Sequence, residues 1–442
     1  LRSEIPTVPW KEVLKKRKQI LKNPLPFHKE YFKIYGDTFR VNLGNRNNWV
    51  FTRNPETIKY ILQTNQRNYH KSTLQTKDLA KYVGHGLLTS NGASWRTHRR
   101  MIQPAFHKKK LVGLLEIMLK AVRSELKNMK FDKEYNIFPM LGDLAFQVVA
   151  QSLFSADDIR ESMQRLKHIT MSNQKMLIKE MRLPYLKWWF RLNGNIGKHL
   201  KMGQEARAIL DTLLERRLAS KVKKEDLLDM LLTARYEDGT PMSRKQLLDE
   251  VLILFVAGHE TTANALGFTL LLLAGHPEYQ EKLFDEVKNV DLAEDDLMAQ
   301  LERLTFTKQC IEEAMRLYPP AYFFDRVSQT DDVVNGMSYK KGTVWLMSIY
   351  ELHRHEGFWK NPGDFMPERF DAKNRKNVSD HYFPFGAGPR MCIGNNFAMY
   401  EMIMTVAILL KEYKITSSLK TIELNPLITL KPLAVPLKIQ TR

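Results

Sequence analysis

The stretch from Ser243 to Ala274 constrains the fold more than any other part of the chain. Ser243-Arg-Lys-Gln246 fits a capping box, in which a hydroxyl and a later amide satisfy free backbone donors at a helix start. An apolar pattern follows as far as Ala274 and stops at Gly275-His276-Pro277, a helix terminator. Roughly thirty residues at about 1.5 Å rise make a rod of about 45 Å. Its centre is apolar nearly all round, which predicts a helix running through the core. His259, Glu260 and Asn264 interrupt the apolar run from Val251 to Ala274, so no unbroken stretch is expected to span a bilayer. A polar cluster half-way along a core helix needs a chemical reason.

The rest of the pattern is mixed. Thr38 to Leu43 and Asn48 to Thr52 read as strands joined at Gly44-Asn45. From Pro55 to about Arg235 the periodicity is mostly helical, as in Lys110–Lys127 and Gly203–Lys221. Short strands and turns follow Phe323, with turn signals at Asn335-Gly336 and Lys341-Gly342. A helix returns from about Asn395 to Tyr413. Thr421 to Thr441, broken by Pro426, Pro432 and Pro436, reads as an edge hairpin or meander. The aromatic run Leu183 to Phe190 is expected to be a lid over a channel rather than a membrane-dipping segment. There is no internal repeat.

Apolar residues make up 43% of the chain, enough for a sizeable core. The net charge of +19 raises nucleic-acid binding as one reading. The basic residues are dispersed and no recognition motif accompanies them, so nucleic acid is not an expected partner. Steering of an acidic protein is the functional alternative to a merely solvated surface. The first thirty residues lack a signal-peptide core. With two cysteines, Cys310 and Cys392, a disulfide framework is excluded and a reducing, cytoplasmic and soluble setting is expected.

Cys392 lies in Phe385-Gly-Ala-Gly388-Pro-Arg390-Met-Cys392-Ile-Gly394. Glycines at these spacings let the backbone turn sharply and approach a flat group closely. A thiolate here can ligate haem iron. Phe385 can pack over the sulfur, and Arg390 can pair with a carboxylate. A helix starting near Asn395 directs its positive end at the thiolate.

The segment resembles the haem-binding loop of the cytochrome P450 superfamily, F-x-x-G-x-R-x-C-x-G, at every position. Three further motifs follow the family's order. Ala257-Gly258-His259-Glu260-Thr261-Thr262 resembles its oxygen-activation segment: Gly258 leaves space above a flat cofactor, and Glu260 and Thr261 relay protons. His259 reads as structural or surface-facing. Glu313-Ala-Met-Arg316 with Arg369 resembles the family's structural ion network. Trp95-Arg-Thr-His-Arg99 and Arg326 resemble its propionate-binding groups, with Arg96 and Arg100 left as surface charge and His98 as a packing residue.

The resemblance implies a mainly α protein with a small β-rich lobe, the triangular-prism fold, as a single domain over 1–442 whose β-rich parts lie at about 30–60 and 321–350. It implies haem b and O2 as cofactors. NAD(P)H electrons would arrive through a ferredoxin- or flavodoxin-type donor and its reductase, with no fused reductase and no stable membrane span. The expected reaction is insertion of one oxygen atom into a substrate C–H bond, by hydroxylation or O-demethylation; peroxide-dependent chemistry is the alternative. Leu87, Leu88, Phe255, Val256, Ala257, Phe323 and Leu433 imply an apolar substrate such as a fatty acid or terpenoid. Against them, Lys81, Tyr82, His85, Tyr322 and Asp325 suggest a polar, methoxylated molecule such as a methyl sugar, although Asp325 is expected to pair with Arg326.

Overall fold

The computed structural model describes all residues except 1–4, 43–47, 156–158, 221 and 293–295. The predicted long helix runs from Arg244 to Ala274. It packs on the helices Phe138–Phe154, Asn195–Ser220, Thr305–Leu317 and Asn395–Glu412. By length and composition it is the one helix among the described residues able to cross a membrane, yet 67% of its apolar window is buried inside the protein. Leu252, Leu266, Phe268, Leu270 and Leu273 are almost wholly covered, as an all-round apolar helix requires.

Only half of the capping box forms. The Ser243 hydroxyl accepts from the Gln246 backbone N–H at 3.2 Å. The Gln246 side chain does not return to Ser243; it donates to the His85 carbonyl and to Glu250, each at 2.9 Å. Gly275 keeps a right-handed φ of −84°, so the helix stops because Pro277 begins the next one.

The β-rich lobe is one six-stranded mixed sheet assembled from distant segments. Its order is Thr7–Val8, Thr38–Asn42, Asn48–Thr52, Val344–Ser348, Phe323–Ser328, Tyr69–His70. The expected turn at Gly44-Asn45 lies outside the described residues, but the antiparallel pairing of Thr38 with Thr52 carries the hairpin register. Helices Trp10–Lys22 and Leu25–Tyr35 precede it, so the segment near residue 30 is helical rather than strand.

The C-terminal stretch is more than an edge hairpin. Leu424–Pro426 and Leu430–Pro432 form a two-stranded ribbon. Pro436–Thr441 is the central strand of a second sheet, between Tyr413–Thr416 and Tyr135–Asn136. Pro436 stands at that strand's first residue, where a missing N–H costs least. The segment after Leu183 forms a short turn and the helix Lys187–Leu192, whose Trp188 and Trp189 are exposed.

Candidate active site

The cysteine loop is built by its own backbone. Gly386 and Gly388 adopt φ of +76° and +67°. The Cys392 N–H donates to the Phe385 carbonyl at 2.9 Å and closes the loop. A Cβ on Gly388 would lie 2.1 Å from the Leu62 carbonyl oxygen, so only glycine lets the loop seat on the Tyr60–Thr64 segment. The Cys392 side chain borders open space. Burial among the loop atoms raises its thiol pKa, while the Gly394 N–H and the Arg99 guanidinium pull it down. A bound metal ion would complete the ionisation.

An ion network anchors this loop from below. Arg316 donates to both oxygens of Glu313, at 2.7 and 2.8 Å, and both residues are fully buried. Arg369 Nε adds a bond to Glu313 at 3.1 Å, and the Met366 N–H another at 2.9 Å. Arg316 also holds the carbonyls of His353, Pro362 and Asp364. His353 was not foreseen. Its Nε2 accepts from the Phe383 N–H at 2.9 Å, two residues before Phe385. Burial, with Arg316 next to it, pushes its pKa well down, so the ring is neutral and can accept. The network therefore reaches the cysteine loop through His353.

Beside the loop lies a cluster of cations. Arg326 is buried and donates to the Asp325 backbone carbonyl at 2.6 Å. Arg390 stacks over the Trp95 ring at 4.4 Å and donates to Asn91 Oδ1 at 3.0 Å, while its Nε has no hydrogen-bond partner among the described residues. Lys71, absent from the expectations, donates to the Leu87 carbonyl at 2.5 Å. Burial drives the Lys71 pKa well down, and Arg390 and Arg326 drive it further. Burial, Arg326 and Arg96 push Arg390 down to about 10. Arg96, Gln66, Arg67, His70, Gly92, Trp95 and Arg390 line an open cavity of about 80 Å³, so Arg96, exposed as expected of surface charge, stands at the edge of this cluster. Cations that depress one another in this way fit an anion between them. Asn91 ties the cluster together, since its amide also bonds both backbone groups of Lys71.

Arg99 departs from expectation. It sits one helical turn from Trp95 but donates to the Met391 carbonyl at 2.9 Å and to Gln103. Its charge is directed at Cys392 rather than shared with Trp95 and Arg390. Arg100 does pair with Glu237 at the surface.

On the long helix, Ala257 is the most uncovered position in its middle, and Thr261 lies one turn further on the same face. The Thr261 hydroxyl donates to the Ala257 carbonyl at 2.8 Å. Glu260 is held by Gln174 and by Lys431, the latter at 3.7 Å, which resolves the cost of an acid in an apolar helix. Gly258 faces Val149, whose methyl would lie 2.9 Å from a Cβ, so against expectation its missing side chain makes room for the helix Phe138–Phe154 rather than for a cofactor. His259 is buried, its Nδ1–H donating to the Phe255 carbonyl at 2.6 Å, and packs edge-on against Phe146; it is structural and not surface-facing.

Several pocket expectations fail. Phe255 stacks with Phe146 and Phe154 inside the helical core. Tyr82 and Lys81 both donate to the buried Glu180. His85 is exposed and is tied only through its backbone groups. The Asp325 carboxylate takes its bonds from Ser72 at 2.5 Å and Gln75 at 2.8 Å, not from the Arg326 guanidinium. The Tyr322 hydroxyl donates to the Leu427 carbonyl at 2.8 Å. Leu88 and Phe323 are half-buried, and Leu433 is 58% exposed beside the Leu430–Pro432 strand.

The residues present fit a flat, dianionic macrocycle with a metal that takes one thiolate. Cys392 would be the ligand; Arg326, Arg390, Lys71 and Trp95 could hold the carboxylates.

The comparisons agree with this geometry. The Cytochrome P450 family model matches residues 6–439. Cytochrome P450 4d2 of Drosophila melanogaster is 31% identical over 423 residues, covering 88% of this chain and 83% of that protein. Putative cytochrome P450 132 of Mycobacterium bovis is 28% identical over 401 residues, covering 87% and 86%. The crystal structure of the cytochrome P450DA heme domain superposes with a TM-score of 0.85 at 22% identity, over 99% of this chain and 98% of that one. The mainly helical architecture with its small β-rich lobe is that of the P450 haem domain. The chain belongs to the cytochrome P450 family and is a haem-thiolate monooxygenase that uses haem b and O2, with NAD(P)H electrons delivered by a partner.

Proposed function

We propose that this monooxygenase inserts oxygen into a C–H bond of an apolar substrate of the fatty-acid or terpenoid kind. One observation carries the choice. Of the five polar residues that argue for a sugar-like ligand, four are engaged within the protein and the fifth is exposed: Lys81 and Tyr82 on Glu180, Tyr322 on Leu427, Asp325 on Ser72 and Gln75, and His85 at the surface. A buried polar ligand would then lack partners, which costs more than an apolar ligand gains or loses there. Leu87, Leu88, Val256, Ala257, Phe323 and Leu433 remain only partly covered and offer apolar contact.

In this reading Cys392 would supply the thiolate ligand of the haem iron, and Arg326, Arg390, Lys71 and Trp95 would hold the two carboxylates. When bound, haem supplies an iron that activates dioxygen, with the thiolate adding electron density. Thr261, whose hydroxyl proton is given to Ala257, keeps its oxygen lone pairs available to orient a water. Glu260 supplies the proton and is reached from Lys431 and Gln174. The electron donor is a ferredoxin- or flavodoxin-type protein with its own reductase.

A spin-state titration with a fatty-acid series and a methyl-sugar series tests the substrate class. Fatty acids should shift the haem spectrum at micromolar concentration, whereas methyl sugars should not. A shift by methyl sugars alone would reverse the assignment.

A further inference from the structure

The loop between the helices Ala80–Val83 and Gly92–Ile102 is pinned to the long helix by two adjacent acids. Asp249 Oδ2 accepts from the His85 N–H at 3.0 Å, and Glu250 Oε2 from the Leu87 N–H at 3.0 Å. The fit leaves no room. A Cβ at Gly84, whose φ is +89°, would fall 2.0 Å from Asp249 Oδ1, and one at Gly86 would fall 2.5 Å from Glu250 Oε2. Gln246 joins from one turn earlier, bonding the His85 carbonyl and Glu250 Oε1. Arg207 steadies Asp249 at 2.8 Å.

Two details raise this above loop packing. Leu87 is held at both ends: its N–H by Glu250, and its carbonyl by Lys71 of the cationic cluster. The loop therefore links the long helix to the groups that would hold the cofactor carboxylates. In addition, His98 Nδ1 is buried with no hydrogen-bond partner among the described residues, 3.7 Å from Glu250 Oε1.

We propose that Asp249 and Glu250 latch the 84–90 loop to the long helix, with His98 beside Glu250 at 3.7 Å, and that release of this loop controls substrate entry. Glu250 and Asp249 are positioning residues, since neither touches the reacting atoms. The last part rests on the reading of Leu87 and Leu88 as substrate-facing; the latch itself does not.

The groups facing Glu250 set its sign. Burial raises its pKa to about 7; Asp249 pushes in the same direction, while the Leu87 N–H, Gln246 and Lys71 push back. Tyr236 and His98 complete its surroundings, and burial lowers the His98 pKa. A protonated Glu250 next to a neutral His98 is therefore the closed form. An open loop returns Glu250 to water and to an ordinary, lower pKa. The closed latch thus binds the proton more tightly, so it holds fully below about pH 4.5 and loosens progressively as pH rises to about 7.

Hydrogen exchange of the 84–91 peptide in the holoprotein, corrected for intrinsic rates, tests this. Glu250→Ala should speed exchange there by about tenfold, the effect of losing one buried hydrogen bond, with the Thr305–Leu317 peptides unchanged. Glu250→Gln, which keeps a carbonyl for the Leu87 N–H, should restore most protection. Wild type should lose protection progressively as pH rises from about 4.5 to about 7, and Glu250→Gln should show no such step. Unchanged exchange in Glu250→Ala, or the same step in Glu250→Gln, overturns the latch. Should Glu250→Ala fail to fold, Asp249→Asn and Glu250→Gln carry the same comparison. Spectral titration of a fatty acid on the same variants separates the two readings. Faster exchange with unchanged affinity keeps the latch and removes its role in substrate entry.

Discussion

At the residue scale, two cysteines with opposite surroundings give the sharpest contrast. Cys310 is fully buried in the helix Thr305–Leu317, and burial pushes its thiol far up, so it stays a neutral core residue. Burial raises the Cys392 thiol as well, but its side chain borders open space, and the Gly394 N–H and Arg99 pull back toward the thiolate. Cys392→Ser should abolish the thiolate-type spectrum of the reduced, carbon-monoxide-bound protein, and Cys310→Ser should leave it intact. The cation cluster gives a graded prediction. A charge-assisted bond in a buried site contributes about 1.5–3 kcal/mol, so Arg326→Leu or Lys71→Met should speed haem transfer to an acceptor protein by about ten- to a hundredfold. Arg100→Leu, at the exposed pair with Glu237, should change it little. Cys392, Arg326 and Arg390 were legible because each sits inside a short motif. Lys71, Asn91 and His353 were not, because each acts through contacts with distant segments: Asn91 to Arg390, and His353 to Phe383. The partners of Tyr82 and Asp325 were invisible for the same reason. Glu180, Ser72 and Gln75 lie far from them in sequence, and a lone polar residue near a pocket does not announce that it is already satisfied.

At the scale of elements, the cysteine loop depends on what lies beneath it. Removing one partner of a buried ion pair leaves an uncompensated charge and costs about 3–5 kcal/mol. Glu313→Ala should therefore lower the thermal midpoint markedly and weaken the haem spectrum, since Arg316 would lose its partner while still gripping the His353 carbonyl. Gly388→Ala should damage the spectrum for a different reason, as its Cβ would collide with backbone at Leu62. Ser243→Ala, which removes the long helix's N-cap, should cost about 1 kcal/mol in thermal stability and leave the spectrum unchanged. The existence and length of the long helix followed from its periodicity, but the destination of its Gln246 did not. A capping box predicts a local bond, and here the loop at His85 offered a better acceptor. The last strand was misjudged similarly. Its prolines suggested an edge, and the sheet instead accommodates Pro436 at the strand's start.

At the scale of the whole molecule, the charge of +19 must be related to where electrons enter. The helix Asn395–Glu412 follows Cys392 and packs on the helix Lys108–Leu126, whose first turn carries Lys108, Lys109 and Lys110. Lys108 lies near Tyr400 and pairs with Glu302, while Lys109 and Lys110 are exposed. Arg99 is fixed to the partly exposed Met391 on the cysteine loop. Lys108 beside Tyr400 on the helix that follows Cys392, and Arg99 on the cysteine loop, put cations next to the elements flanking Cys392, toward which an acidic donor would be steered. Exposed charges act over a Debye length of about 8 Å at physiological ionic strength and less at high salt. The second-order rate of reduction by an acidic ferredoxin should therefore fall steeply as salt rises. Lys109→Glu with Lys110→Glu should lower that rate by about tenfold at low salt and flatten its salt dependence, while spectral binding of substrate stays as in the wild type. A rate indifferent to both salt and charge reversal would mean that the basic surface serves solubility, and that the donor docks elsewhere.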